Sequence, residues 1–166
     1  MNKERRSIAA DLVMVISSIT LFVSLFLPWS HQFTGRVLAV PGAADALRGV
    51  PSDPTAWQVY SIADAMLAVV ASALLLVALV GPRPVRITVL VGVLVALAFS
   101  IHAASVPPSN GVQGVVPSLG LPAAGLPAAG LPAAGRSVPT SGPGAAVAIV
   151  ALAAASVGLG LSLSAD

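Results

Sequence analysis

The chain has 166 residues, 57% of them hydrophobic and 8% charged, with a formal net charge of +2. Soluble globular domains carry about 25% charged residues, so this composition excludes an ordinary soluble enzyme or binding module. Eight basic residues spread over the whole length make no nucleic-acid footprint, and the absence of cysteine removes disulfides, thiol nucleophiles and thiolate metal sites.

Lys3, Arg5 and Arg6 precede an apolar run over residues 8–29. The run is longer than the apolar region of a secretory leader, which is about 7–15 residues, and no small-x-small cleavage site follows it directly. It is therefore expected to be an uncleaved first span, with Asp11 a wet residue near its basic mouth. Ser17, Thr20 and Ser24 form a hydroxyl stripe along it, and Trp29 closes it as an interfacial aromatic. Residues 30–54 read as a polar outer loop. Asp53-Pro54 is a helix-start signal, because a side-chain oxygen can cap free N–H groups and proline tolerates the first turn.

The second span, about 55–80, organises the chain. It is apolar after its first two turns, Trp57 and Tyr60 belong to an aromatic belt, and Asp64 is expected about two turns inside. A carboxylate at helix-centre depth costs about 2.5–3.5 kcal/mol on insertion scales, so neighbouring helices must shield it. Gly81-Pro82-Arg83-Pro84 then breaks the helix, and Arg83 and Arg86 mark a tight turn. A third span follows over about 85–104, with Gly92, Ala96 and Ser100 forming a small-residue face. A second outer loop over 105–143 contains LPAAG three times within 120–135. Proline every fifth residue prevents regular helix there, so a flexible coil is expected. The fourth span, about 144–163, carries Ala151, Ala155, Gly158 and Ser162 on one side, a pattern suited to close helix contact.

Lys3, Arg5, Arg6, Arg83 and Arg86 fall in two short segments, whereas Arg36, Arg48 and Arg136 are diluted over two long ones. The positive-inside rule then places both termini in the cytoplasm of a multi-pass protein of the plasma membrane.

In this arrangement Asp64, His102 and His31 fall near one end of the bundle, with Ser24 and Ser61 facing toward them. Four chemistries compete for such a group. A structural hydrogen bond from Asp64 that fixes helix register ranks first. A proton- or cation-handling site comes next, since intramembrane ionisable residues are functional candidates. No HxxxH-type spacing supports a metal site, and no nucleophile elbow supports Ser–His–Asp catalysis.

Phe26-Leu27-Pro28-Trp29 closing a first span, followed by Trp57-x-x-Tyr60-Ser61-Ile62-x-Asp64, resembles small four-span membrane proteins of high-GC Gram-positive bacteria that carry no assigned activity. The likeness covers the first half of the chain. It implies a four-span fold in which Trp29, Trp57, Ser61 and Asp64 matter together, and it implies no substrate. A similarity to claudin-type tetraspans ends at span count, since the cysteine pair of their first outer loop is missing.

The expected architecture is thus an all-α, antiparallel four-helix transmembrane bundle forming a single domain over 1–166. The expected role is non-enzymatic: a structural or accessory subunit without cofactor or metal, embedded in the lipid bilayer and in contact with copies of itself or another membrane protein. The alternative is a small transporter or proton/cation-conducting protein using Asp64.

Overall fold

Proline sets the first boundary. In the computed structural model, which describes residues 3–31, 52–59, 61–106 and 140–165 (backbone alone for 3–6, 59, 61 and 165), helix α1 runs Lys3–Ser24. It stops short of the expected Trp29. Leu25, Phe26 and Leu27 donate to the carbonyls three residues back, at 3.3, 3.1 and 3.2 Å, so the helix tightens before it stops. Pro28 has no N–H to continue the ladder and disfavours helix in the residue before it. Pro28–Trp29 then leads into a two-residue strand, β1 (Ser30–His31).

The second span is described on both sides of residue 60, which itself lies outside the described residues. A single turn, α2 (Ala56–Val59), is followed after residue 60 by α3 (Ser61–Val80). Asp64 is the fourth residue of α3. Helix α4 (Arg83–Ser105) begins immediately after the Gly81-Pro82 turn, with Pro82 extended at its N-cap. Strand β2 (Thr140–Ser141) and helix α5 (Pro143–Ala165) complete the described chain. Tyr60, the LPAAG tract and most of both expected outer loops lie outside the described residues.

Among the described residues, four helices are long and apolar enough to cross a membrane: Ser7–Ser24, Ile62–Val80, Arg83–Ser105 and Pro143–Ser164. At 1.5 Å per residue each matches a hydrocarbon core of about 30 Å, or nearly so. The helices form a ring in which α1 packs on α5 and α3, and α4 packs on α5 and more thinly on α3. The core runs through Met14, Leu21 and Leu25 of α1, Leu67 and Leu74 of α3, Val93 of α4, and Leu152 and Leu159 of α5. The large side chains left outside, including Ile16, Met66, Leu79, Val95 and Val157, are apolar, as a lipid-facing surface requires.

The two small-residue faces behave differently. Ala151, Ala155, Gly158 and Ser162 are all buried, and Gly158 sits directly against Met14 and Val13 of α1. On α4, Ala96 and Ser100 are buried, but Gly92 has nothing within 4 Å of the place where a Cβ would stand.

Candidate functional site

At one end of the ring the chain builds a clasp. Segment Pro28–His31 crosses the mouth between the leads into α2 and α5. On one flank Pro28 bridges Thr55, and Trp29 N–H donates to Pro54 O at 3.0 Å. On the other, Ser30 and His31 pair antiparallel with Ser141 and Thr140. There Gly142 and Gly144 N–H donate to Trp29 O and Pro28 O at 2.9 and 2.8 Å. Trp29 itself turns inward. It is 2% exposed, its indole N–H donates to Ser24 O at 2.9 Å, and its ring lies on Gly144. The expectation of a lipid-interface anchor is corrected at this residue: with helix α1 already ended at Ser24, the ring swings over the bundle end and plugs it. Trp57 is the outward aromatic, 41% exposed beside Phe26 with ring centroids 6.4 Å apart.

Above this plug, His31 Nδ1 and Asp53 Oδ1 meet at 2.5 Å on the exposed surface. The His31 hydrogen bond, joined by one from the Ser52 hydroxyl at 2.9 Å, holds the Asp53 carboxyl below its ordinary value of 3.8. A group lowered in the folded state contributes stability above its unfolded value and loses it as pH falls through the folded one. The difference in melting temperature between wild type and Asp53→Ala is therefore expected near neutral pH, should shrink as pH falls below 3.8 and should vanish only below the lowered folded value. So exposed a pair contributes less than about 1 kcal/mol. A pH-independent difference in thermal melts would exclude the clasp as its cause.

Beneath the plug lies Asp64, fully buried. Three contacts fix its depth. Ser18 on α1 donates to Ala71 O on α3 at 2.7 Å, and Asp64 lies as many residues before Ala71 as Leu25 lies after Ser18. Gly158 meets Met14, which brings Ala148 beside Ser24. Arg86 donates to Ser162 Oγ, which brings Ser100 level with Ala148. Asp64, Ser24 and Ser100 thus share about one depth, and all three are completely enclosed. The Ser24 and Ser100 hydroxyls donate to Leu21 O and Ala96 O of their own helices, at 2.6 and 2.9 Å. Their lone pairs remain available as acceptors. Asp64 is not an isolated charge among its neighbours.

The rest of the expected cluster does not assemble. His102 is exposed in the last turn of α4, and His31 is committed to Asp53 on the outer side of Trp29. The Ser61 side chain and Tyr60 lie outside the described residues. No group of three or more His, Asp or Glu side chains able to hold a metal occurs among the described residues.

At the opposite end Arg86 is more than the topology marker expected of it. Its Nε–H donates to Gly81 O at 2.8 Å, closing the C-terminus of α3, while its other arm reaches Ser162 on α5. Arg83 stays exposed, and the side chains of Lys3, Arg5 and Arg6 lie outside the described residues. Asp11 is half-buried, with its Oδ1 enclosed and without a hydrogen-bond partner among the described residues.

Comparison with family models, with curated proteins and with solved structures returns no match. The four apolar helices decide the class. This is an integral, multi-pass membrane protein. Its polar interior is a set of interhelical and cap hydrogen bonds, and sequence reasoning missed Ser18 and Ser162 within it and Asp53 on the surface beyond the plug. Ser18 was masked by its neighbour Ser17, which lies on the regular hydroxyl stripe. Asp53 and Ser162 find partners 22 and 76 residues away, at distances that local spacing cannot encode. Ser18→Ala should cost about 0.6–1.7 kcal/mol, the range for interhelical bonds in membranes. Denaturation in mixed micelles would measure it, and no change would mean that the Ser18–Ala71 bond adds nothing to the bundle.

Proposed function

We propose that the protein is a non-enzymatic membrane subunit of the plasma membrane that acts through helix contacts with a second copy or another membrane protein. The observation that carries this reading is the outer face of α5. Ala153, Gly160 and Ser164 are exposed on it, and Gly160 has nothing within 4 Å of the place where a Cβ would stand. Lipid chains pack as readily against leucine as against glycine, whereas small residues let a second helix backbone approach closely. Gly92 on α4 is equally open.

Because the chain has no cysteine, one introduced thiol reports contact cleanly. Oxidation in native membranes should cross-link Gly160→Cys to a second copy or a partner, while Leu76→Cys on the exposed side of α3 should stay monomeric. Equal cross-linking at both positions, or none at Gly160→Cys, would refute the reading.

A further inference from the structure

We infer that Asp64 is a gated proton-binding carboxyl, closed from the clasp end of the bundle by the Pro28–His31 segment acting as a removable lid. The inference is independent of the helix-contact reading above and rests on two observations made at different places. One is a carboxyl that is 0% exposed, yet is the fourth residue of α3, with buried hydroxyls at its depth. The other is the construction of what covers it. Between Asp64 and the clasp-end surface lie Trp29, Ser30, Pro54 and Ala56, all buried. These residues are not part of any transmembrane helix. They are held by the Trp29–Pro54 hydrogen bond on one flank, by the Ser30–His31 strand pairing and the Gly142 and Gly144 N–H groups on the other, and by the exposed His31–Asp53 contact. A plug built from a two-residue strand and one aromatic ring can open locally at a fraction of the free energy needed to separate the helices.

The surroundings suit a proton rather than a metal ion. Asp64 is the one titratable residue of α3, and α5 carries none. Helix α1 has its acidic and basic residues at the far end, with Asp11 the nearest of them. Helix α4 contributes Arg83 and Arg86 at the far end and His102 on its exposed side. The described residues at the depth of Asp64 include the neutral oxygens of Ser24 and Ser100, and the described helices place no second carboxylate there to neutralise a divalent cation.

Dicyclohexylcarbodiimide, an apolar reagent, tests this directly. It adds only to a protonated carboxyl: the acid's O–H adds across one C=N bond, the oxygen joining the carbodiimide carbon and the proton its nitrogen. Labelling of the full-length protein in lipid nanodiscs, read site by site by mass spectrometry, compares Asp64 with Asp11 in the same molecule. His31→Ala removes the surface contact without touching the core, and should speed labelling at Asp64 about two- to five-fold while leaving Asp11 unchanged. Trp29→Ala, which removes the plug, should speed it by more than about ten-fold. Should Trp29→Ala loosen the whole bundle, His31→Ala still decides. Asp64 labelling that is absent in both variants, or that rises in His31→Ala no more than at Asp11, overturns the inference.

Discussion

Trp29→Ala should be the most damaging single truncation in this chain, lowering stability by about 3–5 kcal/mol, the range for removing a buried tryptophan. Three losses coincide there. The indole leaves a cavity over Gly144, which has no side chain to fill it, and whose open space the ring occupies so closely that a Cβ would stand 2.8 Å from Nε1. The Ser24 carbonyl loses the N–H that meets it just beyond the end of α1. The backbone of residue 29, which bonds Pro54 on one side and Gly142 on the other, also gains freedom. Trp29→Phe separates these effects, because it retains most of the volume and removes the N–H. It should cost about 1 kcal/mol. Unfolding in mixed micelles, followed by far-ultraviolet circular dichroism, would rank the three proteins. Should Trp29→Ala lie within experimental error of wild type, the plug is not a structural element. Trp57→Ala is the natural control: its ring is 41% exposed and touches Phe26 at the surface.

The contrast between these two tryptophans shows where the sequence is legible and where it is not. Both stand at the end of an apolar run, and an aromatic in that place reads as an interface anchor. What separates them is chain direction after the helix ends. Pro28 stops α1 early enough for Trp29 to turn back over the bundle, and nothing in local periodicity reports a turn of that kind. The four spans, by contrast, are visible from composition alone, because a bilayer demands uninterrupted apolar length. The Gly81-Pro82 turn is visible from backbone chemistry. Asp64 stood out for its cost, because a carboxyl inside an apolar run must be enclosed by neighbouring helices, and the structure buries it completely. His102 and His31 were read as companions of Asp64 on depth alone. Depth says nothing of azimuth, and the two histidines point elsewhere.

Azimuth also governs the second large effect, which concerns two glycines two residues apart on α5. A Cβ at Gly158 would stand 3.1 Å from Met14 Cγ, 3.2 Å from Val13 Cγ1 and 3.3 Å from Ala10 O, whereas a Cβ at Gly160 would meet nothing within 4 Å. Gly158→Leu must therefore push α5 off α1 along their closest contact. Overpacking of that kind costs about 1–3 kcal/mol, and the backbone carbonyl of Ala10 cannot rotate aside as a side-chain end could. Gly158→Ala asks Met14 and Val13 for only a few tenths of an ångström and should cost less than about 1 kcal/mol. Gly160→Leu should leave the stability of the isolated bundle unchanged and act only on contacts with a second molecule. The same micelle denaturation, run on all three variants, distinguishes the two sites. If Gly158→Leu were as stable as Gly160→Leu, the α1–α5 contact would be loose enough to absorb an isobutyl group. The buried row of Ala151, Ala155, Gly158 and Ser162 would then no longer explain why this helix is built from small residues.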